Sequence, residues 1–391
     1  MAVSQERTLR SYVLDIHLYL SLALGLLLVA IALTGAPLVW RDQVDRLLNP
    51  ERYAVTGSDS RLTPSGYAAN ALAAAGMDFR VVDVRYPVAP GWPVRANLRA
   101  APRDGGGVRS LTVTLDPATG KALGVARVSS TFVGFLHNVH HMLMIPQFSG
   151  RQIVGWIGVA MLFLSLSGLY LWWPRNVGFV RGLRWSRSPF TTTNLHHLAG
   201  FWISIPLAVV SLTGIYLAFP NTAYSFMSSV ATMGQPMRHG GFSALPARET
   251  NIDADRAFAQ ALAAAPDSQL RTIAYPVAPR GEHDHGKLEW RVQLRASGSG
   301  DNATILVDDR TAAARPGPAP LSGDTAAALI KGLHEARRGG LVWEVLVFLT
   351  GVAPLLFLIT GVMMWLRKRR NRKAVQTTGG ATLDSEATAQ A

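Results

Sequence analysis

Four stretches of the chain are apolar at nearly every position: residues 16–40, 153–173, 198–219 and 341–366. About 20 such residues in a helix cross a hydrocarbon layer of about 30 Å, so each predicts a membrane-spanning helix. The sequence between them differs in kind. Residues 41–136 and 220–333 mix polar and apolar positions, with Ala-rich helical stretches at 64–75 and 254–265. Period-two alternation follows at 93–98 and 111–115, and again at 288–294 and 304–307, bounded by Gly, Pro and Asp. That pattern predicts strands joined by turns. Each insertion reads as a small α+β unit, a helix on an antiparallel sheet. The chain then reads as a membrane α-helical bundle of four transmembrane spans with two inserted α+β domains.

The pattern also repeats. The spans close on related phrases: Leu33-Thr34-Gly35 with Trp40, Leu166-Ser167-Gly168 before Trp172-Trp173, Leu212-Thr213-Gly214, and Ile359-Thr360-Gly361 with Trp365. Small residues at that depth let helices approach closely, and the terminal aromatics suit the membrane interface. In the insertions Tyr86-Pro87-Val88-Ala89-Pro90 recurs as Tyr275-Pro276-Val277-Ala278-Pro279. Two tandem copies of helix–domain–helix, an internal duplication, is the reading that accounts for both repeats.

Charge sets the expected orientation. Only 16% of the 391 residues are charged, against about 25% in an ordinary soluble domain, yet the net charge is +13. The excess collects in short segments. These are Arg7 and Arg10 in residues 1–15, Arg175, Arg181, Arg184 and Arg187 in the loop 174–195, and the run from Arg367 to Lys373 that opens the tail 367–391. Short basic segments stay cytoplasmic, so the termini and the loop are expected inside and both insertions outside. Because these cations border the span ends, they indicate a lipid bilayer and not a nucleic-acid partner. The tail beyond Lys373, rich in Thr, Gly and Ala, is expected to be disordered. The apolar run after Arg10 is longer than a signal-peptide core and is echoed in the third span, so it reads as a retained helix.

The chain has no cysteine and ten histidines. That excludes disulfides, thiolate zinc sites, cysteine-held iron–sulfur clusters and covalent C-x-x-C-H haem attachment. Histidine opens every span. His17, and His196 with His197, lie at the inner ends of the first and third; His137, His140 and His141 precede the second on the outer side, and His334 precedes the fourth. Ionisable residues at membrane depth are costly and mark function. Two facing imidazoles in a four-helix bundle suit the axial positions of a b-type haem. The inner pair is His17 with His196 and the outer pair His140 with His334, with His197, His141 and His137 as alternates. Two b-type haems would then span the bilayer.

Zinc wants three or four ligands. The outer cluster with Glu335 could offer them, but the inner end has only Asp15, on a different helix face from His17. Zinc would explain one end only. Gly25, Gly155, Gly158 and Gly200 could make room for a macrocycle, and Phe201, Trp202, Trp156 and Met142 could line it. Arg151, Arg337 and Arg338 could meet propionates or an acidic ligand. The loop Glu282-His283-Asp284-His285 reads as a solvated hairpin loop. No G-x-G-x-x-G fingerprint or P-loop is present, which argues against a nicotinamide or flavin donor bound in those ways.

With its histidine-led spans, Ser/Thr-Gly phrases, Trp172-Trp173-Pro174-Arg175 and paired outer domains, the chain resembles the PepSY-associated transmembrane proteins over residues 10–370. Several of these are inner-membrane, haem-containing reductases of ferric siderophores. The resemblance implies two periplasmic PepSY-like domains and a bacterial inner-membrane location. It also implies haem ligation by His17, His196, His140 and His334. The activity implied is reduction of a periplasmic ferric siderophore to Fe(II), with electrons from the quinol pool or a cytoplasmic reductase. Two other classes fit the sequence: a haem-free membrane sensor or regulator, and a siderophore or metal transporter with helices broken at Pro206 and Pro354.

Overall fold

The computed structural model describes residues 7–76, 78–102, 108–174, 178–184, 188–234, 245–277, 287–296 and 302–389, with the backbone alone at 181 and 372–389. The chain opens with α1 (Leu9–Gly35), a 3-10 turn (Ala36–Trp40) and α2 (Arg41–Leu48). A second 3-10 turn (Pro50–Tyr53) leads to α3 (Pro64–Ala75) and strands β1 (Arg80–Arg85), β2 (Val94–Ala100), β3 (Arg109–Leu115) and β4 (Ala122–Arg127). Helices α4 (Phe132–Met142), α5 (Gly150–Trp172), α6 (Phe179–Gly182), α7 (Thr191–Ala218) and α8 (Pro220–Val230) follow. The second insertion supplies α9 (Ala254–Ala264), β5 (Ser268–Ala274), β6 (Glu289–Ala296), β7 (Asn302–Asp308) and β8 (Ala314–Pro316), before α10 (Ser322–His334) and α11 (Gly340–Ala389). The chain divides into a helical unit, made of residues up to Trp40, Leu136–Met233 and from Ser322 onward, and a second unit of Arg41–Phe135 and Gly234–Leu321.

Four helices are long and apolar enough to cross a membrane: Leu9–Leu48, Gly150–Trp172, Thr191–Ala218 and Gly340–Asn371. They match the four expected spans, and the chain is a membrane protein. α5 packs along α7 and α1, and α11 packs along α1 and α7. Leu28, Ile31, Ile157, Met161 and Leu207 form the buried centre. α7 and α11 run unbroken through Pro206 and Pro354, so the helix breaks expected of a transporter are not formed. α11 also continues to Ala389, where composition predicts disorder beyond Lys373. An established helix extends at one hydrogen bond per residue without a new nucleation cost, and no proline follows Pro354 in it.

The outer histidine segments are not the first turns of the spans. α4 and α10 are separate helices, set off by residues in the left-handed region. These are Leu143 (φ 53°), Met144 (φ 60°) and Ser149 (φ 58°) after α4, and Ala336 (φ 55°), Gly339 (φ 105°) and Gly340 (φ 68°) after α10. The chain therefore turns between each outer histidine and the span that follows it.

The second unit corrects the expectation of two separate α+β domains. Each insertion does form a helix and four strands, but the strands join in one antiparallel sheet of order β4-β3-β2-β1-β5-β6-β7-β8. Alone, each half would expose β1 or β5 as an edge of unpaired N–H and C=O groups; pairing removes both edges. The seam is reciprocal. Val84 lies opposite Ile273, the Tyr86 amide donates to the Arg271 carbonyl and the Tyr275 amide donates to the Val82 carbonyl, both at 2.9 Å. α3 and α9 start on equivalent caps, with the Thr63 and Asp253 side chains accepting from the Gly66 and Arg256 amides. Such a cap is worth about 1 kcal/mol. One core runs under both helices, with Tyr67, Val84, Leu98, Ile273, Trp290 and Leu294 fully buried.

Candidate functional site

Each Ser/Thr-Gly phrase in the helical unit receives one histidine from another helix. His17 on α1 meets Ser167-Gly168 of α5, with Nδ1 2.8 Å from Ser167 Oγ. His196 on α7 meets Thr360-Gly361 of α11, with Nδ1 2.8 Å from Thr360 Oγ1. His140 on α4 meets the end of α1, its Nδ1 2.8 Å from the Ile31 carbonyl. His334 on α10 meets α7, its Nδ1 3.1 Å from the Val210 carbonyl and 3.2 Å from Thr213 Oγ1. The glycines explain the fit. A Cβ on Gly35 would lie 2.6 Å from His140 Cε1, and one on Gly214 would lie 3.0 Å from His334 Cε1; on Gly168 and Gly361 it would lie 3.5 and 3.8 Å from the Cε1 atoms of His17 and His196. At Gly35 and Gly214 a side chain would crowd the imidazole, whereas Gly168 and Gly361 leave an ordinary contact distance.

The hydrogen bonds assign three of the tautomers. A carbonyl only accepts, so His140 and His334 donate from Nδ1 to Ile31 and Val210. The hydroxyls facing the inner histidines also meet backbone carbonyls. Ser167 Oγ reaches the Leu164 carbonyl at 3.3 Å and Thr360 Oγ1 donates to Leu356 at 2.7 Å. Thr360 therefore accepts from the Nδ1–H of His196, while Ser167 stands nearer His17 Nδ1, at 2.8 Å, than the Leu164 carbonyl. Thr213 does as Thr360 does, donating to Val209 and Val210. His140, His196 and His334 thus keep Nδ1 protonated and, when neutral, present a bare Nε2 lone pair, the state in which imidazole ligates a metal. His140 and His334, outside the spans, are held neutral by burial, which pushes His334 down to about 4 against the pull of its Val210 hydrogen bond.

The two halves bring these imidazoles together in pairs. The rings of His140 and His334 have centroids 6.1 Å apart, and His17 and His196 stand on α1 and α7, which both pack against α5 and α11. Two metal–nitrogen bonds of about 2 Å, plus the depth of each ring, put two imidazole centroids on one metal about 6 Å apart. The outer pair meets that requirement. Among the described residues no group of three or more His, Asp or Glu side chains is placed to hold a metal ion, so the donor sets are pairs. Neutral imidazole pairs without a third ligand fit the axial positions of haem and do not fit zinc.

The alternates fall beside the cradles. His137 and His141 stack on each other at 5.4 Å, and His197 meets His196 edge-on at 6.4 Å. Burial, with the charge of Arg151 nearby, lowers His141 to about 4; its Nδ1 is buried without a partner. Arg151 donates to the Leu217 carbonyl, Arg337 pairs with Glu335 at 2.8 Å, and Arg338 lies along Gly332. Of the four glycines expected to make room, Gly200 has open space where a Cβ would stand, and the other three are packing sites. Gly25 abuts Leu358, Gly155 abuts Phe219 and Gly158 abuts Ile215, while Trp156 and Trp202 are exposed and Phe201 packs on Trp172 at 4.2 Å. The glycines that touch histidine are those of the repeated phrase, a role that their recurrence at four span ends signals once the histidines are considered with them. The Glu282–His285 loop lies outside the described residues.

A family model described as the PepSY-associated TM region matches residues 14–368, and the chain belongs to that family. No curated protein matches the chain.

Proposed function

We propose that this member of the PepSY-associated transmembrane family carries electrons across a bacterial inner membrane through two b-type haems and reduces a ferric siderophore in the periplasm. The observation that carries this reading is the set of four imidazoles, each held through Nδ1 against a Ser/Thr-Gly phrase of another helix, with His140 and His334 brought together at 6.1 Å. His17 and His196 would hold one haem and His140 and His334 the other. Bound there, haem supplies one-electron transfer between the two ends of the bundle. The chain's own residues do the positioning. Ser167, Thr360, Ile31 and Val210 fix the ring orientations through Nδ1, and Leu28, Ile31, Ile157 and Leu207 keep the centre of the bundle dry.

The cationic ends of the spans support a topology with both termini and the short loop in the cytoplasm. Electrons would enter there, or from the quinol pool, and leave to Fe(III) on the other side. One electron converts Fe(III) to Fe(II), a softer ion held less tightly by hard oxygen chelators, and the iron is released. The reciprocal seam and the paired cradles support an origin by duplication of one helix–domain–helix unit. The reduction step is tested by mixing anaerobic, dithionite-reduced protein with a ferric siderophore and a chromogenic Fe(II) chelator. Reoxidation with matching Fe(II) release is expected. A reduced protein that stays reduced would reject the reductase reading.

A further inference from the structure

The sheet face opposite α3 and α9 carries a repeat of its own. β2 reads Val94-Arg95-Ala96-Asn97-Leu98-Arg99-Ala100, and β6 reads Trp290-Arg291-Val292-Gln293-Leu294-Arg295-Ala296. Val94, Ala96 and Leu98, like Trp290, Val292 and Leu294, are in the core. Period two therefore sends Arg95, Asn97 and Arg99, and Arg291, Gln293 and Arg295, to the other face. The order β2-β1-β5-β6 sets the two trios on either side of the seam, three strand spacings or about 14 Å apart. The rows between them run Arg95, Arg85, Thr272, Gln293 and Asn97, Asp83, Ala274, Arg291.

As a purely structural element this face is badly arranged. Arg85 lies directly opposite Arg95, and Arg80 opposite Arg99; like charges across an antiparallel pair destabilise it. Acidic groups answer part of the charge, with Asp83 2.9 Å from Arg85 and Asp42 2.9 Å from Arg95. Arg291 and Arg295 are exposed and make no ion pair among the described residues, and Arg295 also meets the charge of Arg271. A mainly cationic sheet face of this width, with Thr272 and Gln293 between the arginines, suits a compact polyanion whose several oxygens guanidinium groups can grip in pairs.

We infer that this arginine-rich face binds an anionic ferric chelate, one offering catecholate or carboxylate oxygens, in preference to a neutral hydroxamate chelate. This names the substrate class for the reductase reading above and rests on it. Arg291 and Arg295 are the recognition residues in the second half, and Arg85 and Arg95 face them across the seam.

Binding is measured with gallium(III) in place of iron, since the gallium chelates bind as the ferric ones do but accept no electron. Full-length protein in detergent is titrated with the anionic gallium tris-catecholate and with a neutral gallium trihydroxamate. The anionic chelate is expected to bind more tightly, with affinity that falls as salt rises. R291Q/R295Q should weaken it by about tenfold or more, while R291K/R295K, which keeps the charges, should retain most of it; circular dichroism checks that both fold. Equal affinity for the two chelates, or wild-type affinity in R291Q/R295Q, would overturn the assignment. Tight anionic binding without reduction of the ferric form would sink the reductase reading and leave the anion site standing, whereas efficient reduction of the neutral chelate with no anionic preference would do the reverse.

Discussion

The inner and outer histidine pairs are built by different means. His17 and His196 are carried on spanning helices, and each faces one hydroxyl on its neighbour, beside a glycine whose added Cβ would still stand 3.5 or 3.8 Å from the ring. His140 and His334 sit on the short helices α4 and α10, bond to backbone carbonyls, and lie where a Cβ on Gly35 or Gly214 would stand 2.6 or 3.0 Å from the ring. A hydroxyl can be deleted by one substitution; a backbone carbonyl cannot. The outer pair should thus depend on shape and the inner pair on a side-chain hydrogen bond.

The largest effects separate the pairs outright. His334→Ala or His140→Ala should remove about half the haem, and His17→Ala or His196→Ala the other half, since a bis-imidazole site losing one ligand no longer fills both axial positions. Haem counted by pyridine haemochrome checks this; a variant that keeps both haems would break the assignment of that ligand. Glycine substitutions come next. Gly35→Ala drives a methyl into His140 and should empty most of the outer site, whereas Gly361→Ala, where the ring stands farther off, should keep both haems. Similar losses from the two changes would erase the proposed difference between the pairs.

A change away from both pairs provides the reference. Asp309 is buried and accepts from Asn251 and from Trp290 Nε1, and Asp116 does the same for Thr56 and Thr119 at the matching turn. Burial alone would raise both carboxyls, but these hydrogen bonds outweigh it and hold them below the ordinary value, which is about 3.9. A depressed folded value gives stability that is present above about pH 4 and lost as pH falls through it. Asp309→Asn should cost the sheet unit about 1–3 kcal/mol and flatten that acid dependence, read by denaturant unfolding across pH, with haem content unchanged. The smallest effect belongs to the inner tether. Thr360→Val should keep both haems but shift the potential or electron paramagnetic resonance signal of the inner one. Thr34→Val should shift the outer one less, because Thr34 meets His140 only through the Ile31 carbonyl to which both donate.

The spans and the four ligand candidates were legible in the sequence because both follow from position. Twenty apolar residues make a span, and a histidine at its mouth is conspicuous. The cradles were half legible. Ser167-Gly168 and its three counterparts stood out as a repeat but read as helix packing, since no single phrase reveals which imidazole it meets. The seam was hidden for a local reason. β1 and β5 carry irregularities between Val81 and Asp83 and between Leu270 and Thr272, which break the period-two pattern that marked their neighbours. The separation of α4 and α10 from the spans was equally hidden, because the left-handed turns use Leu143, Met144 and Ala336, residues that carry no turn signal.

The most direct test is the absorption spectrum of the purified, detergent-solubilised protein, oxidised and after dithionite, with haem quantified per chain. Cradled imidazole pairs at both ends predict a b-type reduced spectrum and two haems per chain. Protein from haem-replete cells that carries no haem would contradict the central claim, and a count of one would remove one of the two pairs from it.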